Sequence, residues 1–353
     1  GSPTVDRQTF DVAEESYDDD AGRQVRVMAL RNTGTGELAE ILLNTPGGDN
    51  RSTGSGAVNG LLLQDPQSGA LREVMPHRRG FVGGLMAPFA NRIRHGRYPF
   101  GGVQHQLPCN WDETATRITR SGEHAIHGLL PRELDVLSVD TEGGACLRLG
   151  TSFDGSDEGY PFRVDLTFSY RLQVDSGFSI DVAATNRSPD GMAAPFMVGW
   201  HPYVQLKGRM ADTVLAFDPR SGYNMSVPER GGPAGPARDS HPTGSTVPSD
   251  DFTQGRTLGV RYWDDGFKAT ASSRNVSTLE TRVQDSVGQG STVVVWQDAQ
   301  CRFIQVYTGL RERRALAIEP MSGQTDCFNN GDGLVVLQAG ETWETSFGAR
   351  LEA

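Results

Sequence analysis

The chain has 353 residues, of which 37 % are hydrophobic and 22 % charged, the make-up of a globular protein with a real core. A formal net charge of −11 repels phosphate backbones and anionic lipid, so no nucleic-acid or membrane partner is expected, and no apolar run approaches membrane-spanning length. The length alone would suggest two domains, but large all-β sandwiches often exceed the usual domain size, and the 43 glycines suit many turns between short strands.

At the N-terminus, Gly1-Ser2-Pro3 without a Met has the form of a tag-cleavage scar. The acidic cluster Glu14, Glu15, Asp18, Asp19 and Asp20 lacks calcium-loop spacing and reads as solvated surface. Strands are expected at Val25–Leu30 and Glu37–Asn44, followed by a Gly-, Ser-, Thr- and Asn-rich loop over Thr45–Gly60. Further strands are expected at Leu134–Asp140 and Cys146–Phe153. The clearest signal is Phe162 to Val174, where Phe162, Val164, Leu166, Phe168, Tyr170, Leu172 and Val174 alternate with polar residues. Period two over that length means one buried face. Asp175-Ser176-Gly177 then turns the chain, and Phe178, Ile180, Val182 and Ala184 resume the alternation, which makes a β-hairpin.

Beyond it lie a strand at Thr213–Phe217 and a long Pro-, Gly- and Ser-rich loop over Pro228–Asp250. Trp263-Asp264-Asp265-Gly266-Phe267 reads as a turn. Strands follow at Thr292–Gln297, Phe303–Thr308, Ala315–Glu319 and Trp343–Leu351, with Pro320 expected to stop the Ala315–Glu319 strand at once. No stretch combines a helical period with caps. The class is therefore all-β, a large antiparallel β-sandwich. The strand pattern is the same on both sides of each loop, so residues 1–353 read as one domain.

Four N-x-S/T triplets begin at Asn50, Asn186, Asn224 and Asn275 and would permit glycosylation in a secretory setting. Cys109, Cys146, Cys301 and Cys327 are scattered, with no C-x-x-C pair, which excludes zinc-ribbon and thioredoxin-like readings; an even count permits disulfides without demanding them. The compartment stays open.

Four segments join polar or ionisable residues to tight turns: Ala87-Pro88-Phe89-Ala90-Asn91-Arg92-Ile93 with Gly96-Arg97-Tyr98, Ala125-Ile126-His127-Gly128-Leu129, Gly199-Trp200-His201-Pro202-Tyr203, and Leu316-Ala317-Ile318-Glu319-Pro320-Met321-Ser322. Glu319 ends an apolar strand, where desolvation would raise its pKa toward the range of a useful general base; taken alone, it reads first as an exposed strand end. His201 among aromatics suits both a packed structural His and a sugar-facing one. His127 before Gly128 is an imidazole on a tight turn. Arg92 beside Asn91 offers the mixed donors and acceptors that sugar hydroxyls need, or a tie for loop carbonyls. No metal ligand set forms around His124 and His127, and there is no G-x-S-x-G elbow and no phosphate-cradling loop.

In this order the segments resemble the aldose 1-epimerase (galactose mutarotase) family: Asn91-Arg92-Ile93, His127-Gly128, His201-Pro202-Tyr203, and Glu319-Pro320-Met321 with Asp326 and Phe328-Asn329. Asp264, three residues before Phe267, sits where the family places a sugar-binding Asp. The resemblance runs from about residue 83 to the C-terminus. It departs at Val204, where the family often has Phe, and at Leu130-Pro131-Arg132, where an Arg and a Trp often follow the H-G-L form.

The resemblance implies a β-supersandwich with the sugar in a cleft, and interconversion of the α and β anomers of a free aldose with no cofactor and no metal. Glu319 would be the base and His201 the acid, facing each other across a gap wide enough for a pyranose ring. His127, Arg92, Asn91, Asp264 and Tyr203 would hold the sugar, with Trp200 or Tyr203 supplying an apolar patch. It also implies a cytoplasmic protein, although the triplets and the missing native N-terminus leave secretion open. Two other readings share the fold. A hexose-6-phosphate epimerase would need a cluster of cations, and Arg94 and Arg97 beside Arg92 read as surface residues. A non-catalytic carbohydrate-binding domain would be free to lose His201 or Glu319.

Overall fold

The computed structural model describes residues 9–44, 54, 56–80, 83–112, 114–115, 117–174, 177–217, 220–222, 252–269, 277–288 and 290–353. The N-terminal tripeptide, the triplets at Asn50, Asn224 and Asn275, the loop Pro228–Asp250 and most of Thr45–Gly60 lie outside them, as do Asp175 and Ser176.

Antiparallel sheets account for the architecture. The largest has nine strands, in the order Asp135–Asp140, Ala145–Asp154, Arg163–Gln173, Gly177–Asn186, Thr342–Glu352, Thr292–Asp298, Thr278–Gln284, Val214–Phe217 and Arg256–Thr257. At its centre is the expected hairpin: Val164 to Gln173 pair with Asn186 to Gly177 in unbroken register. Val164, Leu166, Phe168, Tyr170 and Leu172 are buried along one face, as their alternation demands, and so are Phe178, Ile180, Val182 and Ala184. Val174 lies beyond the strand and is exposed.

A seven-stranded sheet packs against this face. Its path runs Arg220–Gly222, Asp264–Ala269, Phe303–Leu310, Ala315–Met321, Gly199–Trp200 and Leu85–Met86, and Tyr203–Gln205 also pairs with Ala315–Met321. Trp200 stacks on Phe347 of the nine-stranded sheet, ring centroids 5.4 Å apart, and tilts against Phe178 at 6.2 Å. A five-stranded meander, Phe10–Asp18, Gln24–Asn32, Leu38–Leu42, Val58–Gln64 and Leu71–Met75, flanks both. One buried cluster draws on all three sheets through Leu61 and Val74, Phe168 and Phe347, Ile304 and Ile318. Among the described residues no helix is long and apolar enough to cross a membrane.

Two local expectations are corrected. Asp264–Ala269 is a strand, not a turn, because Asp264 to Lys268 find a full ladder of partners on Tyr307 to Phe303. Pro320 does not stop its strand: Ala315–Met321 continues past it. The acidic cluster lies at the surface as expected and begins on a strand, with Glu14 ion-paired to Arg26 and Glu15 to Arg31 across the ladder. Asn186 is fully buried. Its amide donates to the carbonyls of Met192 and Leu337 at 2.8 and 2.9 Å, so the folded chain does not present it as a glycosylation acceptor. All four thiols are free.

Candidate active site

The seven-stranded sheet presents a polar face away from the core. Along Ala315–Met321, Leu316 and Ile318 enter the core cluster, so the intervening Ala317 and Glu319 face the other way. Along Phe303–Leu310, Ile304 and Val306 enter the core, leaving Gln305 and Tyr307 on the same side as Glu319. The ladder sets Gln305 opposite Glu319 and Asp264 opposite Tyr307. The same alternation sends Trp200 into the core and the next residue, His201, toward Glu319.

Loops cover this face. The left-handed residue Asn91 (φ 55°) accepts from the Arg92 amide at 2.9 Å, Arg92 Nη1 at 3.0 Å and Thr325 Oγ1 at 3.0 Å, all on its side-chain oxygen. His127, also left-handed (φ 67°), donates its amide to the Asn91 carbonyl at 3.0 Å. Gly128 follows with φ 84°, and a Cβ there would collide with the Ala87 carbonyl oxygen. The H-G pair thus fixes the imidazole where two loops touch. Arg92 Nη2 donates to Asp264 at 3.3 Å, and Gln305 Nε2 donates to the other Asp264 oxygen at 2.9 Å. The Arg92 guanidinium lies over the Trp111 ring, 4.8 Å from its centroid.

A cavity of about 180 Å³ remains between the sheet and its cover, lined by every residue singled out for sugar chemistry: Asn91, Arg92, His127, His201, Tyr203, Asp264 and Glu319. It is also lined by Gln305, Tyr307, Trp111 and Ile118, which sequence reasoning missed. For Gln305 a signal existed, a lone polar residue in an apolar strand two positions from Tyr307. Trp111 sits on the short hairpin Trp111–Asp112/Arg117–Ile118 and carries no motif. Trp200, expected as an apolar patch, is instead buried on the far side of the sheet.

His201 and Glu319 do not face each other across a gap. Their Nε2 and Oε1 are 3.4 Å apart, with side chains 15 % and 4 % exposed. The reason is the antiparallel register: Gly199 pairs with Met321, so two residues on, His201 comes alongside Glu319 within its strand. The His127 ring stands edge-on to His201 at 5.4 Å.

Burial governs the charges. It pushes the Glu319 carboxyl well above its ordinary range, with repulsion from Asp264 adding to the rise and Arg92 opposing it. It pushes the His201 imidazole down to about 4. Burial, then His201 and Arg92, hold His127 well below the ordinary value. Both shifts favour the uncharged forms of this contacting, buried pair, a protonated Glu319 carboxyl beside a neutral His201 imidazole. As an ion pair, its carboxylate is a strengthened base and its imidazolium a strengthened acid. Among the described residues no group of three His, Cys, Asp or Glu is arranged to hold a metal. His127 Nδ1, His201 Nδ1 and Gln305 Oε1 are buried without a hydrogen-bond partner.

Residues 63–350 match the family model for aldose 1-epimerase. The chain belongs to the aldose 1-epimerase family. The uncharacterized protein YihR of Escherichia coli K12 is 31 % identical over 274 residues, covering 76 % of this chain and 80 % of YihR. The fold is shared with a galactose mutarotase-like protein from Clostridium acetobutylicum (TM-score 0.71, 14 % identity, 97 % and 99 % of the two chains). It is shared also with the galactose 1-epimerase of Lactobacillus acidophilus NCFM (TM-score 0.67, 17 % identity, 98 % and 100 %). Family membership supports a mutarotase-type function on a sugar substrate.

Proposed function

We propose that this chain is a single-domain aldose 1-epimerase that interconverts the α and β anomers of a free aldose. The observation that carries the reading is the buried Glu319–His201 couple beside a cavity of monosaccharide scale. Anomerisation requires one proton to leave the O1 hydroxyl and one to reach the ring oxygen. In the ion-paired form Glu319 accepts the O1 proton while His201 donates to the ring oxygen as the C1–O5 bond breaks. The open-chain aldehyde rotates about C1–C2. The protonated Glu319 then gives its proton to O1 while the neutral His201 takes the proton of the O5 hydroxyl as that oxygen attacks C1, and the ring closes on the other face. The sugar's two oxygens take over the partners that the couple gives each other in the empty site, so the pair separates as substrate enters.

The remaining groups position. Arg92 and Gln305 hold Asp264 from both sides, leaving a fixed carboxylate for hydroxyls. Asn91 acts through Arg92, since its side-chain oxygen already serves three donors. His127, held neutral, offers one donor and one acceptor. Trp111 and Tyr203 present ring faces to sugar C–H groups. The lining does not favour a phosphorylated sugar: its one guanidinium, Arg92, is already paired with Asp264, and neither Arg94 nor Arg97 lines the cavity.

Freshly dissolved α-glucose and α-galactose, followed by optical rotation, test the reading. Equilibration faster than buffer, lost in Glu319→Gln, supports it. Sugar binding without any acceleration would make the chain a carbohydrate-binding domain instead.

A further inference from the structure

A second buried carboxylate lies outside the cavity, on the five-stranded meander. Along Leu38–Leu42, Ala39 and Ile41 enter the main core cluster, so Glu40 between them points to the other face. Its side chain is fully buried there, which is unfavourable for a carboxylate without partners. This one has three. Arg78 Nε and Nη2 fork onto its two oxygens at 3.0 and 2.9 Å. His77 Nε2 lies 3.1 Å from Oε2, and Asn59 Nδ2 donates to Oε1 at 3.0 Å. Burial alone would raise the carboxyl, but His77 and Arg78 hold it below its ordinary value. Arg78 takes a left-handed φ of 55° and lies 4.1 Å over the Tyr17 ring. None of these residues lines the cavity, and none belongs to the segments that carry the family resemblance.

Two connections nevertheless lead from Glu40 to the cavity. Asn59 adjoins Val58, whose amide donates to the Gly83 carbonyl at 3.1 Å. Arg78 precedes Gly83 on the same stretch of chain. Gly83 in turn lies directly on the backbone of the proposed acid. A Cβ there would stand 2.7 Å from both the His201 carbonyl oxygen and Pro202 Cα, so only glycine permits the approach. Gly84 lines the cavity, and its carbonyl accepts the His201 amide at 2.9 Å. The His201 ring has little polar support of its own: Nδ1 has no hydrogen-bond partner and Nε2 meets Glu319 at 3.4 Å. Its place is therefore set by its backbone and by packing against Tyr203 and His127.

We propose that Glu40 is a positioning residue for His201: its carboxylate ties Asn59 to Arg78, these hold Gly83-Gly84 against the His201 backbone, and the imidazole is thereby kept beside Glu319. This rests on the reading of His201 as the acid of anomerisation. Glu40 touches neither substrate nor reacting atoms. Misplacing a reacting group by about 1 Å can cost on the order of 10²-fold in rate, so slack in this support shows in kcat rather than in binding.

The test combines rotation assays with NMR of the histidine ring nitrogens. Gly83→Ala supplies the signature of a displaced His201, since its new methyl collides with that backbone. Glu40→Gln keeps the shape and loses the charge, and Asn59→Ala cuts the path to Val58 should the first variant fail to fold. In each, kcat is expected to fall about ten- to a hundredfold with KM held within about twofold, and the His201 signals to move in the direction seen in Gly83→Ala. Glu73→Gln, which breaks only the exposed pair with Arg79, should leave both readouts unchanged. Wild-type kcat in Glu40→Gln and Asn59→Ala, or an equal fall in Glu73→Gln, overturns the inference. So do unmoved His201 signals beside a lowered kcat. If the wild type turns over no sugar, the anomerase reading fails and the NMR arm still decides: moved His201 signals uphold the positioning role, and unmoved ones refute it.

Discussion

Two hairpins of the same antiparallel geometry do opposite work in this protein. In Arg163–Gln173/Gly177–Asn186, one face is apolar and buried and the other is half wet. In Phe303–Leu310/Ala315–Met321, the second strand is buried along its whole length. One face carries Ile304, Val306, Leu316 and Ile318 into the core, and the opposite face holds Gln305 and Glu319 out of water under a cover of loops. The first hairpin gains stability at nearly every position. The second gives some away, since burying a carboxylate and unpaired amide oxygen is unfavourable, and gains a base stronger than any exposed carboxylate. Stability and chemistry are thus separated between adjacent sheets.

Single substitutions should break the two hairpins in different ways. Glu319→Gln is expected to lower turnover by at least ~10²-fold and as much as ~10⁴-fold, measured by rotation, while raising the melting temperature. The sign follows from its pKa, which is raised in the fold. The favourable contribution of a protonated Glu319 is present at low pH and is lost as pH rises through the raised value, so the neutral amide escapes that loss near pH 7. Phe168→Ala, in the other hairpin, should cost about 3–5 kcal/mol in urea unfolding yet leave the activity of the folded fraction intact. An inactive but folded Phe168→Ala protein would show that the two sheets are not separable.

His201→Asn sharpens the contrast along the pH axis. With the imidazole lowered from 6.5 to about 4, the unfolded chain binds a proton that the folded one refuses. Stability is complete above the unfolded value and falls as pH drops from about 6.5 through about 4, by on the order of 3 kcal/mol at most. Urea midpoints at pH 7 and pH 4.5 should lie closer together in the variant; an unchanged difference would mean that His201 titrates normally. The smallest effect is expected from Trp111→Ala, which removes a ring from the cavity cover: KM should rise severalfold with little change in kcat, as loss of an aromatic contact of about 0.5–1.5 kcal/mol would produce.

The same separation decided what could be read from sequence. Phe162 to Ala184 announced their hairpin because one face is dry and one wet. Asp264 to Phe267 hid a strand, because Asp-Asp-Gly carries turn chemistry and only the partner strand, about forty residues later, overrides it. The seven candidate site residues, Asn91, Arg92, His127, His201, Tyr203, Asp264 and Glu319, were legible by resemblance, and all line one cavity. The 3.4 Å contact between His201 and Glu319 was not, since it depends on which strands adjoin. Trp111 and Tyr307 were invisible for a related reason: they bound the cavity through register and loop placement, which leave no local pattern.

The bonds that hold the cavity walls join distant stretches of chain. Arg92 and Asp264 are 172 positions apart, and Asn91 and Thr325 are 234 apart. Each such closure must overcome loop entropy before it is rewarded, and non-local pairings of this kind form slowly. The hairpins can assemble from neighbours, whereas the cavity exists only once residues from both ends of the described chain have met. Recovery of catalysis after dilution from denaturant should therefore lag behind burial of Trp200 and Trp263. Ligand added during that interval binds only the finished molecule and draws the last closures forward by mass action.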